Sequence, residues 1–189
     1  MESIKPNEHF FQPDPRSQSL GPPLETQYEL TSYFRLHDGV PESVRSYMNM
    51  VVTLWLYGWL YYPFYPLAVF HSTTAVEMAL QERFPEKRGR GLQKLLKAAK
   101  DAGLLTDAGF PRLQNRGDTG QAIGGAGAAA APNPSYVDVL IGTLPGIRNR
   151  FAHPQMHTIM PPGMSVDALI LAAEIINQLW PAPSFTDHS

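Results

Sequence analysis

The sequence contains no cysteine among its 189 residues. Disulfide bonds, thiol redox chemistry and zinc sites with thiolate ligands are therefore excluded. The N-terminal residues are polar and rich in proline, so the sequence also lacks the apolar core of a signal peptide. Together these absences predict a cytoplasmic location.

Fixed charge is scarce as well, because 17% of the residues are charged, 43% are hydrophobic and the net charge is -2. The chain can bury a substantial core, and as a whole it is not an electrostatic binder of nucleic acid. No residue from Ser46 to Val76 carries a fixed charge. Pro63 and Pro66 interrupt this stretch after about a dozen apolar residues, whereas a membrane span needs about 20. We therefore expect no membrane association, and a helix buried either in the core or against a second subunit.

Alternation of apolar and polar residues, which is typical of β-strands, is also missing. Apolar residues recur instead at helical spacing. The predicted helices are Pro41–Tyr62, Pro66–Phe84, Gly91–Ala102, a fourth that begins at Asn133-Pro134, and Ser165–Trp180. Pro145-Gly146 lies inside the fourth helix and is expected to kink or interrupt it. The sequence thus predicts an all-α fold, a bundle of four to five helices.

Segments rich in proline or glycine predict the domain organisation. Residues 1–27 hold five prolines and are interpreted as an irregular N-terminal arm, either disordered or ordered only where it packs on the domain. Residues 28–181 are the helical domain, which contains a Gly/Ala-rich loop at residues 109–133. Residues 182–189 are interpreted as a flexible tail.

Basic residues are concentrated in one part of the chain. The stretch Arg83–Lys100 carries seven basic residues and one acidic residue, Glu86. Such a stretch is either a solvated helix face or a surface that contacts phosphate. Six of its residues are the candidates for RNA binding: Arg83, Lys87, Arg88, Arg90, Lys94 and Lys97.

The segment Arg148-Asn149-Arg150-Phe151-Ala152-His153 ends the fourth predicted helix, directly before Pro154. Asn149 and His153 are four positions apart and face the same way on a helix, and Pro154 disfavours the helical conformation at His153. Arginine can stabilise a phosphoryl group with its planar fork of donors, and histidine can move a proton near neutral pH. By spacing alone, the same cluster is also typical of ordinary helix capping.

The pattern Arg148-Asn149-x-x-x-His153 resembles the signature of the HEPN superfamily, in which an arginine and a polar residue precede a histidine by a few positions. The surroundings are similar too, because the motif ends a late helix of an all-α bundle. The amphipathic segment Thr74–Arg83, which contains Glu77, lies upstream, and Leu92–Leu105 lies between the two. The resemblance extends over residues 45–180.

This resemblance implies a HEPN-like fold and a metal-independent endoribonuclease, often a toxin or an antiviral-defence effector, that needs no cofactor. It also implies a homodimer with one composite cleft for RNA, and an inhibitory or regulatory protein partner. The RNA 2′-hydroxyl would attack the adjacent phosphorus, with His153 as general base or acid and Arg148 stabilising the developing charge. Asn149 would orient the phosphate or the imidazole. Arg150 and Glu77 are auxiliary candidates, with Glu77 holding Arg148 or His153 in place.

Two other functions stay open. HEPN-like domains also act as non-catalytic modules that bind nucleotide, RNA or protein, and here Arg148 and His153 would bind phosphate without cleavage. The other hypothesis is a helical scaffold without a ligand, in which the polar cluster only caps a helix.

His71, on the same predicted helix as Glu77, is interpreted as a packed histidine.

Overall fold

The structure is a computed structural model that describes residues 4–111, 135–152, 160, 162–180 and 182. These residues contain no β-strand, which confirms the predicted all-α class. From residue 112 onward the predicted Gly/Ala-rich loop lies outside the described residues, and so does the predicted tail apart from residue 182. The described α-helices are α1 (Pro15–Leu20), α2 (Leu24–Leu30), α3 (Glu42–Tyr57), α4 (Phe64–Arg83), α5 (Leu92–Asp101), α6 (Tyr136–Ala152) and α7 (Pro162–Leu179).

Helix α4 lies at the centre of the bundle and contacts α3, α5, α6 and α7. Its buried positions are distributed around the helix, and many are small: Tyr65, Ala68, Val69, Ser72, Thr73, Ala75, Val76, Ala79 and Leu80. A helix that is surrounded in this way has no room for unpaired charge. This burial accounts for the absence of charge from Phe64 to Val76, the second part of the uncharged stretch. No described helix combines the length and the apolar character that crossing a membrane requires.

The prediction of one helix from Pro41 to Tyr62 is wrong at its C-terminal end. Helix α3 ends at Tyr57, and the backbone N–H of Gly58 donates to the carbonyls of the preceding turn. A Cβ atom at Gly58 would lie 2.6 Å from the ring of Tyr65, so only glycine allows α4 to approach so closely. The chain therefore turns here and separates α3 from α4.

Residues 4–27 contain helical segments, so the irregular arm that their prolines predict is not confirmed. Pro15 lies in the first turn of α1, and Asp14 caps this helix by accepting a hydrogen bond of 2.9 Å from the backbone N–H of Arg16. Proline is favourable at a helix start because its fixed φ angle suits the helix and no N–H donor is needed there. Helix α2 also crosses the boundary that was predicted at residue 27. The prolines thus begin helices in this segment.

Buried polar contacts join the N-terminal segment to the turn between α3 and α4. The backbone N–H of Asp14 donates to Trp59 O at 2.9 Å, and the N–H of Tyr62 donates to Asp14 Oδ2 at 3.1 Å. Ser17 Oγ donates to Gly58 O at 2.7 Å. Asp14 and Ser17 are both buried, so these contacts fix the segment on the bundle.

Asp14 should make the stability of this junction depend on pH. Burial alone would raise the pKa of its carboxyl, but hydrogen bonds from Arg16 and from the N–H of Tyr62 outweigh burial and hold the pKa below the usual 3.8. The carboxylate therefore contributes stability above about pH 4, and this contribution is lost as the pH falls through the lower folded-state pKa. We expect Asp14→Asn to lower the free energy of unfolding by about 1–3 kcal/mol near neutral pH.

Urea unfolding of the wild type and of Asp14→Asn, near neutral pH and at about pH 3, measures the effect. The difference between the two proteins should shrink at the lower pH. Asp38→Asn is the matched control, because Asp38 forms an ion pair with Arg45 while its own side chain is 89% exposed. A difference of the same size at both pH values would contradict the assignment.

Candidate active site

Helix α6 carries the Arg148-Asn149 motif and is continuous from Tyr136 to Ala152. The predicted interruption at Pro145-Gly146 is therefore not found, whereas the kink that was the other expectation stays a prediction. Proline removes one backbone donor and weakens the preceding turn, but the packing of α6 against α4 and α5 compensates for this loss. The side chains that α6 buries toward its neighbours are Val137, Leu140 and Leu144.

The start of α6 is fixed by two capping side chains. The carboxylate of Asp107, in the turn after α5, accepts hydrogen bonds from the first two backbone N–H groups of α6 at 3.1 and 3.0 Å. Ser135 Oγ accepts a third from the N–H of Asp138 at 3.2 Å. The cap that the sequence predicts at residues 133–134 lies outside the described residues. Asp107 thereby sets where α6 begins relative to α5, and hence where the motif lies.

Removing this cap should cost measurable stability. We expect Asp107→Ala to lower the free energy of unfolding by about 1–2 kcal/mol. Two backbone N–H donors would lose their acceptor, and the helix dipole would lose a nearby negative charge. Asp101→Ala, at the exposed end of α5, should change it by less than about 0.5 kcal/mol. Urea unfolding of both variants decides the matter, and equal effects would show that Asp107 has no special role.

A pocket of about 250 Å³ lies where α4, α5 and α6 meet. Arg148 and Asn149 line it from α6, Lys94 from α5 and Glu77 from α4. The remaining lining residues are Gly91, Leu92, Gln93 and Pro145. The described lining residues include two cationic side chains and one anionic side chain, and this positive balance suits an anionic ligand.

The N-terminus of α5 opens into this pocket. Gly91 is the N-cap residue and supplies no side-chain acceptor for the first turn. Uncapped N–H groups at a helix start carry partial positive charge and favour anions. The first turn of α5 therefore adds to the field of Lys94 and Arg148.

Arg148 has a loose ion pair and spare donors. Its Nη2 lies 3.4 Å from Glu77 Oε2, and its Nη1 lies 3.5 Å from Asn149 Oδ1. Charge-assisted bonds between arginine and carboxylate are shorter, about 2.7–2.9 Å. Nε of Arg148 is buried and has no hydrogen-bond partner among the described residues. Since the side chain is 38% exposed, a ligand can reach the guanidinium and compete with Glu77.

The structure separates the predicted RNA-binding residues into two groups. Lys94 lines the pocket, and the five others do not. Lys87 packs over the ring of Phe84 at 4.9 Å and lies 3.6 Å from Glu86. The remaining four are exposed: Arg83, Arg88, Arg90 and Lys97. They lie between the end of α4 and the middle of α5, and of the six candidates Lys94 is the one that lines the pocket with Arg148.

Two residues of the predicted site are not among the described residues that line the pocket. Arg150 is exposed in the last turn of α6 and is not a lining residue. His153 directly follows the end of α6 in the sequence and lies outside the described residues. Glu77 was predicted to hold either Arg148 or His153, and the structure places it against Arg148.

His71 lies on α4, away from the pocket that Glu77 lines. Its Nδ1 is 2.7 Å from the hydroxyl of Tyr47, and its ring packs edge-to-face against Phe70. Burial lowers the pKa of His71, which favours the neutral imidazole. These contacts are those of a packed histidine.

Sequence patterns missed Asp107 and the opening of α5 into the pocket. A cap supplied from a distant turn leaves no local pattern, because the acceptor and the donors are separated by the whole Gly/Ala-rich segment. Gly91 is evident in the sequence, but its significance depends on α6, which faces it across the pocket.

Comparison with protein-family models, with curated protein sequences and with solved structures gives no match to this chain.

Proposed function

We propose that this chain is a metal-independent endoribonuclease of HEPN type with a HEPN-like fold, acting as a toxin or an antiviral-defence effector. The observation that carries the proposal is the shared pocket of Arg148, Asn149 and Lys94 at the N-terminus of α5. This combination of a guanidinium, an amide, an ammonium and helix N–H groups is suited to an RNA phosphate. Capping of α6 alone would not involve Lys94 and Gly91, because both residues belong to another helix, α5.

In this mechanism the RNA 2′-hydroxyl attacks the adjacent phosphorus and expels the 5′-oxygen of the next nucleotide. The products are a 2′,3′-cyclic phosphate and a 5′-hydroxyl. Arg148 stabilises the charge that develops on the equatorial phosphate oxygens, and Asn149 orients the phosphate or the imidazole. His153 transfers a proton as general base or acid.

Glu77 has a positioning role in this proposal. At 3.4 Å it keeps the guanidinium of Arg148 in the pocket without occupying its donors fully. Arg150 assists from the last turn of α6. The exposed basic residues along α5 hold more distant phosphates, and each contributes to a salt-dependent affinity for RNA.

A homodimer completes the site. One chain supplies one His153, whereas cleavage uses both a base and an acid. Two protomers that face each other would supply two imidazoles to one composite cleft. Sedimentation of the purified chain should therefore show a dimer, and a strictly monomeric active enzyme would remove this part of the mechanism.

Cleavage without metal is the central test. Incubating the purified chain with single-stranded RNA in excess EDTA should yield fragments with 2′,3′-cyclic phosphate and 5′-hydroxyl ends. Analysis of the ends by mass spectrometry distinguishes this chemistry from hydrolysis that leaves 5′-phosphates. Cleavage that requires added metal would overturn the mechanism.

The same experiment addresses the second function. A non-catalytic module that binds nucleotide, RNA or protein would leave RNA intact over many substrates. If it bound phosphate through Arg148 and Lys94, its affinity for nucleotide would fall on removal of either side chain. Intact RNA together with such binding would favour the module over the nuclease.

A further inference from the structure

A second pocket, of about 580 Å³, lies at the N-terminal end of α4. Its walls include the aromatic side chains of Phe10, Phe11, Tyr57, Tyr61 and Phe64, together with the side chain of Lys5. Pockets of this size that are mostly apolar, with a small number of polar groups, are typical of small-molecule sites. Neither the RNA chemistry nor the packing of the bundle uses this pocket.

The pocket is distant from the candidate active site. Phe64 and Glu77 lie on the same helix, and at about 1.5 Å per residue their positions are about 20 Å apart along its axis. A ligand in the aromatic pocket would therefore not contact Arg148. The two sites can be tested independently.

Ring contacts within each segment and one backbone hydrogen bond between the segments order part of the pocket. Phe10 and Phe11 pack edge-to-face with ring centres 5.2 Å apart, and Tyr61 and Phe64 do the same at 5.2 Å. The hydrogen bond from the N–H of Asp14 to Trp59 O fixes the N-terminal segment against the turn. A pocket that is already formed loses less entropy on binding than one that must be ordered.

Lys5 gives the pocket its charge. Its Nζ donates to Leu60 O at 2.9 Å and to Gln12 O. An ammonium has three donors, and the contacts with described residues use two of them. Carbonyl oxygens do not neutralise the positive charge, and no acidic side chain is among the described residues that line the pocket.

Considerable apolar surface is left in water at this pocket. Phe11 is 82% exposed and Ile4 is 96% exposed. Exposed apolar patches of this kind mark binding sites more often than ordinary surface. The combination of flat aromatic walls with one cation matches a flat apolar molecule with one anionic group.

We propose that the pocket formed by Phe10, Phe11, Tyr57, Tyr61, Phe64 and Lys5 binds a small aromatic carboxylate. The rings cover the apolar body by stacking and edge contacts, and the third N–H of Lys5 donates to the carboxylate. The site is separate from the proposed nuclease activity.

Isothermal titration of the full chain with 2-naphthoate tests the proposal, with 2-naphthamide as the neutral isostere. The carboxylate should bind about tenfold more tightly than the amide, and Lys5→Gln should remove this difference. Phe11→Ala and Tyr57→Ser should each weaken binding of both compounds about tenfold. Two exposed side chains outside the pocket provide the controls, and Arg35→Gln and Met164→Ala should leave binding unchanged.

Three results would overturn the proposal. The first is no binding of 2-naphthoate up to its solubility limit. The second is binding that Lys5→Gln, Phe11→Ala and Tyr57→Ser all leave unchanged, which would mean adsorption elsewhere. The third is a concentration-dependent dimer that Phe11→Ala dissociates, which would mean that a second copy covers the pocket. Because Phe11 and Tyr57 are exposed, their variants should stay folded, and circular dichroism verifies this.

Discussion

Replacing Arg148 with alanine is expected to slow RNA cleavage at least about a hundredfold, because one donor group for a developing oxyanion has an effect of this size. His153→Ala should reduce cleavage by a factor of about 10²–10⁴, through loss of proton transfer. Arg148→Lys should recover only part of the activity, since it restores the charge but not the planar fork. Initial rates on a single-stranded RNA in EDTA measure all three.

Arg35→Ala is the matched control for these variants, because Arg35 is exposed in the segment before α3 and lies outside the pocket. It should leave the rate unchanged. Cleavage that survives both Arg148→Ala and His153→Ala would show that the motif does not carry the chemistry. Circular dichroism and sedimentation must show that each variant keeps its fold and its oligomeric state.

Under the scaffold hypothesis the same variants have a different outcome. The wild-type protein would neither cleave RNA nor bind nucleotide. His153→Ala would then cost only about 0.3–1 kcal/mol of stability, through lost interaction with the helix dipole. Thermal unfolding and the cleavage assay on the same samples separate the two hypotheses.

Replacing Trp55 with alanine should cause the largest loss of stability. Trp55 is fully buried, and its ring packs edge-to-face against Phe34 and Tyr65. Its Nε1 donates to Ser165 Oγ at 2.8 Å, so this side chain of α3 contacts the segment between α2 and α3, as well as α4 and α7. We expect the free energy of unfolding to fall by about 3–5 kcal/mol, because a large cavity opens at this junction. Urea unfolding measures the loss.

Tyr57→Ala provides the comparison for Trp55. Tyr57 is an aromatic residue on the same helix, but it is 54% exposed. Its replacement should change the free energy of unfolding by less than about 0.5 kcal/mol. Losses of similar size for both variants would mean that this junction does not depend on the buried indole.

Periodicity predicted the existence of the long helices and their approximate order. Helix ends were predicted less well, because they depend on contacts between distant residues. Gly58 is a local signal for the end of α3, but only the close approach of Tyr65 shows why a glycine is needed there. At Pro145 the helix is longer than predicted. Proline usually breaks helices, but α6 continues past Pro145 because it packs on α4 and α5.

The interpretation of residues 4–27 as irregular did not anticipate α1 and α2, for a related reason. Proline disfavours the interior of a helix but favours its first turn. Which of the two applies depends on the residues that follow and on whether a partner accepts hydrogen bonds from the backbone N–H groups of the first turn. Asp14 is such a partner here, and its burial against the turn after α3 is a tertiary contact.

The sequence by itself determined the all-α class, the absence of thiol chemistry and the motif of Arg148, Asn149 and His153. These properties follow from composition and local periodicity. Only the tertiary structure decided that Lys94 and Glu77 share a pocket with Arg148, and that aromatic residues from two segments enclose a second pocket beside Lys5. The reason is physical: a pocket is made by side chains of different helices, and their distances are set by packing in the core.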